Sequence, residues 1–466
     1  MRRLVESAME AWADGGCEPP LLVTGVRGCG KTHTVREFVS RRFDSCTWAS
    51  IEDGKVVLYG DAESEGPIVF DGIHTCDDAT VCDGYVRSHR EGSRFIVLSS
   101  TIDGFGDGFA NLGMHPLSFS EFLSAMGRDD LFSDAGGDDA GTRDELGRLF
   151  VEFTEVGGMP EAVIAWKGTH DGAAVDEVLE RTISEIILDS YSEGGAACGR
   201  NCEEILRSIP GQLSRRNKKF MPGRAVRGSR YGGLHRPLRV LESHGAVRRV
   251  GIVLEDGTDP GFKLFCCDTG ILRVLSGMRI GNAPQDGDGL CKGIAENSVL
   301  LEVVKNCHAD VWCWRSGNRA EAELVFGTGG HRVAVEIDPE GTAYARSLRE
   351  YLRTHPDDTV VHMSPDPPEG LHFARCIPLY AASSICALLV DNMTEVTVPA
   401  GRINHRKAGI PAQYTGTHGE EIEGPGARRQ PAHQTQEPSR GVPGIHEGRR
   451  GVLRGIQGVP VPKDRA

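Results

Sequence analysis

The chain has 466 residues, with 52 Lys and Arg against 66 Asp and Glu for a formal charge of −14. At about 150 residues per domain this leaves room for roughly three domains, which excludes a disulfide-stapled mini-protein. The charge is uneven: residues 400–466 hold 11 basic and 6 acidic side chains, leaving 41 against 60 upstream. An acidic body is a poor general sink for nucleic-acid phosphate, so any such contact needs a local basic patch.

Apolar runs such as Phe95-Ile-Val-Leu98 and Ala387-Leu-Leu-Val390 fall well short of the roughly 18 residues a spanning helix needs. The N-terminal segment carries Glu6 and Glu10 where a signal peptide would place its apolar stretch. The expectation is a cytoplasmic protein with no membrane contact. Fourteen cysteines include no C-x-x-C pair, the closest spacings being Cys198-x3-Cys202 and Cys266-Cys267. That pattern predicts reduced, mostly buried thiols rather than a zinc site.

In chain order, residues 1–130 alternate short apolar runs with helical patterns, which predicts βαβ units and a mostly parallel sheet. Leu21–Thr24, Pro67–Asp71 and Arg94–Leu98 read as buried strands, and Thr32–Phe43 as the helix after the first. Residues 131–195 read as helices interrupted at Gly157-Gly-Met-Pro160. A basic helical stretch and two short strands, Ala246–Val253 and Phe262–Cys266, occupy 196–275. Residues 285–395 return to mixed α/β. From 396 to 466 the chain is rich in Gly, Pro, Arg, His and Gln with almost no apolar clustering, which predicts disorder.

The strongest chemical signal is Gly25-Val-Arg-Gly-Cys-Gly-Lys-Thr32, a full G-x-x-x-x-G-K-[ST] match between a strand and a helix. Gly25, Gly28 and Gly30 let backbone N–H groups and the helix N-terminus point at phosphate. Lys31 brings a point charge to the β and γ phosphates, and the Thr32 hydroxyl is a Mg²⁺ ligand. Asp71, closing Ile68-Val-Phe-Asp71, fits the acid that holds Mg²⁺ through water.

These residues resemble the prokaryotic AAA-type ATP-binding proteins that carry a C-terminal winged helix and a PD-(D/E)xK nuclease-like domain of unknown function. The resemblance runs through most of residues 1–385. It rests on the loop with Arg27 and the strand Ile68–His74. Ser99-Ser100 stands at the sensor position, and Leu117-Ser-Phe-Ser-Glu-Phe-Leu123 and Gly157-Gly-Met-Pro-Glu-Ala-Val163 follow. Lys263-Leu-Phe-Cys-Cys-Asp268, Trp314-Arg-Ser316, Ser347-Leu348 and Ile377-Pro-Leu-Tyr380 complete the ordered set. It implies nucleotide contacts at Gly25, Arg27, Gly28, Cys29, Gly30, Lys31, Thr32 and His33, and catalytic roles for Lys31, Asp71 and Ser100. The implied fold is an α/β P-loop NTPase core (1–130), a helical lid (131–195), a winged helix (196–275) and a restriction-endonuclease-like α/β domain (285–395).

Two departures matter. Gly72 stands where the family has its catalytic Glu, and losing a general base typically costs about 10²–10⁴ in rate. Thr101–His115 contains no Arg, where the family places one that could offset transition-state charge. Glu52 and Asp77 are acids that could substitute for the missing one. The expectation is therefore ATP and Mg²⁺ binding with slow or partner-dependent hydrolysis, coupled to a protein partner. The basic 207–239 segment suits DNA, since Lys and Arg there would neutralise phosphates. That leaves a DNA-binding regulator with a structural nucleotide as one alternative and an ATP-dependent nuclease as another. In the nuclease-like domain the resemblance puts Glu296, Glu323 and Glu336 at the acidic positions, but Asp338 replaces the Lys that the chemistry needs. The expectation there is an inert site.

Overall fold

A computed structural model of the chain describes residues 3–390 apart from 61–64, 133–139, 255–260, 282–288, 308, 318–319, 329, 342–344 and 369–370. The tail expected at 396–466 lies outside the described residues. Helix α1 (Glu6–Asp14) leads into β1 (Leu21–Thr24), the glycine-rich loop and α2 (Lys31–Arg42). A hairpin of β2 (Thr47–Glu52) and β3 (Lys55–Tyr59) turns at Asp53-Gly54, both at positive φ, the signature of a two-residue hairpin turn. Then come β4 (Ile68–Ile73), α3 (Cys76–Ser88), β5 (Phe95–Ser99) and β6 (Ala110–Gly113).

These six strands form one sheet in the order β3-β2-β4-β5-β1-β6, parallel except for the hairpin. Helices cover both faces, which is why the inner strands read as unbroken apolar runs. Val35, Phe38 and Val39 of α2 pack with Leu21, Val23, Val69, Ile96 and Leu98 on one face. Ala79, Cys82 and Val86 of α3 pack with Leu22, Phe70, Ile73, Phe95 and Val97 on the other. The strand carrying Ser99 thus lies between the loop strand and the Asp71 strand.

The helical stretch holds α4 (Phe119–Met126), α5 (Ala140–Val156), α6 (Pro160–Thr169) and α7 (Gly172–Leu213). Ser118 and Glu121 cap α4 reciprocally, satisfying two otherwise orphaned N–H groups. The expected break at 157–160 separates α5 from α6. The 42-residue α7 is two helices meeting at Gly195, whose φ of 75° and ψ of 174° are non-helical.

Beyond it lie α8 (Pro222–Ala225), α9 (Tyr231–Ser243), β7 (Val247–Leu254), β8 (Phe262–Cys266), α10 (Thr269–Leu275) and α11 (Leu290–Cys307). The chain continues through β9 (Val311–Arg315), β10 (Glu321–Thr328), β11 (His331–Ile337), α12 (Arg346–Thr354), β12 (Thr359–Ser364), β13 (Arg375–Pro378) and α13 (Ile385–Val390). The β7–β8 hairpin belongs to the same seven-stranded sheet as the last five strands, in the order β13-β12-β11-β10-β9-β7-β8. Ile252–Leu254 pair in parallel with Cys313–Arg315 to join them. The uniform expectation of free thiols is corrected at one place: Cys307 and Cys386 are disulfide-bonded, closing α11 onto α13. Among the described residues the other twelve cysteines are free and most are buried.

Candidate phosphate-binding site

The loop between β1 and α2 closes tightly. A Cβ on Gly25 would lie 2.1 Å from the Met114 carbonyl oxygen, so no larger residue fits without moving the backbone just after β6. Gly28 and Gly30 have φ of 80° and 97°, values at which glycine alone is unstrained. Cys29 is fully buried, so it supports the loop from the core side and offers backbone only. Arg3 reaches in from the N-terminus, its Nη1 donating to the Cys29 carbonyl at 2.9 Å and its Nε to Glu121 at 2.9 Å.

A cavity of about 680 Å³ opens at the N-terminus of α2, lined among others by Arg27, Gly28, Lys31, Thr32, Asp71 and His74. Lys31 Nζ donates to the Gly25 and Val26 carbonyls at 2.7 and 3.2 Å, lying over the loop where an anion would compete for it. Thr32 Oγ1 donates to Asp71 Oδ1 at 3.1 Å, and that oxygen also accepts from Gly72 N at 2.8 Å. Two hard oxygen donors adjacent on one wall, with room for water, fit the few-ligand octahedral demand of Mg²⁺.

Arg27 is bound on both sides by α7: its Nε lies 3.2 Å from Glu185 and its Nη1 3.0 Å from Asp189. Burial pushes the Asp189 carboxyl up while Arg27 pulls it back. Ser100 is buried and reaches the cavity only through His74, whose Nδ1 is 2.9 Å from its Oγ. His33 points outward, 3.8 Å from Glu37 on the exposed face of α2, and does not line the cavity. Glu52, bonded to Tyr59 and Ser50, and Asp77 in the first turn of α3 are also absent from its lining.

Sequence reasoning missed the far wall. Trp48 and Tyr59 come from the hairpin, and Arg36 of α2 lies 5.1 Å over the Trp48 ring. Glu185 comes from a helix 158 residues beyond Arg27. No local pattern marks either.

The loop is also approached closely from beyond α7. A Cβ on Gly245 would lie 3.4 Å from Val26 N, and the adjacent His244 is buried with neither ring nitrogen hydrogen-bonded among the described residues. Burial and Lys31, opposed by Asp103, push His244 down to about 4.

In the C-terminal sheet the three acids singled out from the sequence have the following partners. Glu296 is paired with Lys218 and, at 3.3 Å, with Lys263. Glu323 is paired with Lys292 at 2.7 Å and accepts from Ile337 N at 3.2 Å. Glu336 instead faces His362, at 3.7 Å. Burial pushes the Glu323 carboxyl up to about 6 against the pull of Lys292. Burial opposes the charge on Lys263, but its anionic neighbours, Glu296 and Glu321 among them, hold its pKa well above the ordinary value. Among the described residues no group of three or more His, Cys, Asp or Glu could hold a metal ion.

No helix among the described residues is long and apolar enough to cross a membrane. No family model matches the chain, and no curated protein does. Among solved structures, the Walker-type ATPase PABY2304 of Pyrococcus abyssi is similar at 15% identity and a TM-score of 0.39, over 59% of this chain and 95% of that one. Protein VC1899 from Vibrio cholerae is similar at 10% identity and a TM-score of 0.19, over 70% of this chain and 75% of that one.

Proposed function

We propose that the chain binds Mg-ATP at the Gly25–Thr32 loop and acts as a nucleotide-dependent switch with slow or partner-dependent hydrolysis. The observation that carries this reading is the cavity joining Lys31, Thr32 and Asp71 at a helix N-terminus, where backbone N–H groups and the helix dipole favour an anion. Mg²⁺, when bound by Thr32 directly and by Asp71 through water, would neutralise phosphate charge. The switch follows from Arg27 and Gly245. The loop's own arginine is held by α7 and its backbone is approached closely from the end of α9, so reshaping the loop around phosphate would disturb both neighbours. Glycine at 72 supports the slow rate, because no carboxylate follows Asp71 to activate water.

Calorimetry of Mg-ATP with wild type and Lys31→Ala, run beside steady-state phosphate release, tests the reading. Wild type is expected to bind and release phosphate slowly, and Lys31→Ala to lose at least tenfold in affinity. No heat of binding to folded wild type would refute it.

A second reading, a DNA-binding regulator with a structural nucleotide, is favoured by one observation. Arg215, Arg216, Arg224, Arg227, Arg230 and Arg236 are exposed and have no ion-pair partner among the described residues, whereas Arg207, Arg239 and Arg249 are paired with Glu203, Asp103 and Glu242. We assign this helix–helix–hairpin segment as a winged helix whose partner is duplex DNA. Retention in a low-salt gel shift that weakens steeply with salt supports the assignment, and no retention at micromolar protein ends it. Retention unaffected by Lys31→Ala would favour a structural nucleotide. Asp338, standing where the nuclease chemistry needs a Lys, supports an inert nuclease-like domain rather than an active one.

A further inference from the structure

The alternation of β4 is broken beside the cavity. β4 pairs Phe70 with Val97 and then Ile73 with Ser99, so three steps on β4 oppose two on β5. One extra residue therefore sits in β4. Such a bulge reverses which side chains face each side of the sheet beyond it. Val69 belongs to the core on the α2 face and Phe70 to the core on the α3 face. Unbroken alternation would turn residues 71 and 73 to the α2 face and 72 and 74 to the α3 face. Instead Ile73 packs with Phe70, and His74 lines the cavity alongside Asp71 and Lys31. The bulge residue Gly72 takes φ of +81°, a conformation in which any other L residue is strained. The glycine at the expected acid position and the imidazole in the cavity thus share one backbone cause.

The ring is held by a neighbouring strand. Nδ1 lies 2.9 Å from Ser100 Oγ, and Ser100 N is tied to the Ile73 carbonyl at 2.9 Å. Nε2 has no hydrogen-bond partner among the described residues. A ring nitrogen fixed by a second group, with its other nitrogen open to the site, is the arrangement of an oriented general base.

We propose that His74 takes the proton from the water that attacks the γ-phosphate, in place of the carboxylate absent at position 72. The inference rests on the Mg-ATP reading above. The Nε2 lone pair accepts the water proton as the water oxygen bonds to γ-phosphorus. The bond from γ-phosphorus to the bridging oxygen breaks, its electron pair staying on ADP, and the imidazolium later returns its proton to solvent. The competing acids are committed elsewhere: Asp71 to Thr32, and Glu185 to Arg27. In the free chain burial, Arg27, Lys31 and His244 hold the His74 pKa down to about 4. Triphosphate beside Arg27 and Lys31 would offset their charge and raise it, although burial, the largest cause of the depression, stays in place. Substrate would therefore strengthen its own base.

The test uses the full-length chain as wild type, His74→Ala and His74→Gln, comparing Mg-ATP affinity by calorimetry with single-turnover phosphate release from pH 5.5 to 9. Affinity reports folding and the loop; release reports the base. Expected are affinities within about threefold and release lowered by about 10²–10⁴ in both variants. Wild-type release should rise with pH to a plateau, an inflection that both variants lose. Release within threefold of wild type with the inflection intact would overturn the proposal. So would an inflection lost in Glu185→Gln but retained in His74→Gln. Wild type that binds Mg-ATP and releases no phosphate would overturn it while leaving nucleotide binding in place; wild type that does not bind would overturn both.

Discussion

Replacing Glu296 with Ala removes the centre of a buried charge cluster. The side chains of Glu296, Lys263 and Lys218 are 1%, 0% and 6% exposed, so water cannot take over the role of the carboxylate. Lys218 then has no remaining ion-pair partner among the described residues, and Lys263 keeps Glu321 alone, at 2.5 Å. Removing one partner of a buried pair costs about 3–5 kcal/mol, mostly from the stranded charge. Lys263→Met is different. It leaves Glu296 with Lys218 and Glu321 with Arg315 at 2.9 Å, so no ion is stranded and the added side chain is apolar. Its cost should be less than half that of Glu296→Ala. Urea unfolding followed by tryptophan fluorescence reads the difference, since Trp312 and Trp314 lie on β9 of the same sheet. At about 3 kcal/mol/M, Glu296→Ala should lower the midpoint by roughly 1 M. A shift below about 0.3 M, or an equal one for Lys263→Met, would refute the asymmetry.

Gly25→Ala should cost more than tenfold in Mg-ATP affinity, because its Cβ would meet the Met114 oxygen at 2.1 Å; unchanged calorimetry would refute the close-packed loop. Glu321 is the pH handle of the charge cluster. Burial opposes its charge, but Lys263 and Arg315 win and hold it down to about 2, below its ordinary 4.5. The folded chain then binds fewer protons than the unfolded one, so this stability is complete above about pH 4.5 and is lost as pH falls toward 2. Urea midpoints at pH 5.5, 4 and 3 should fall in that order, and a fall of equal size in Glu321→Gln would refute the assignment. Plasmid and single-stranded DNA should survive incubation with the protein and Mg²⁺ or Mn²⁺; cleavage abolished by Glu336→Ala would overturn the inert reading.

What the sequence determined by itself was local. Leu21–Thr24 is a strand with the bounds that its apolar run predicts, and the helix after the loop runs Lys31–Arg42 where Thr32–Phe43 was expected. The strands at Ile68–Ile73 and Phe95–Ser99 fall within two residues of their apolar runs for the same reason: burial on both faces writes itself into consecutive residues. Tertiary structure alone decided the rest. The hairpin that adds Trp48 and Tyr59 to the cavity and the α7 acids that hold Arg27 become neighbours only when the chain closes. The lysines that neutralise Glu296 and Glu323 do so as well. Even His74, three residues from Asp71, was hidden, because the register shift that turns it into the cavity is set by β5, and a strand read alone carries no record of its partner's register.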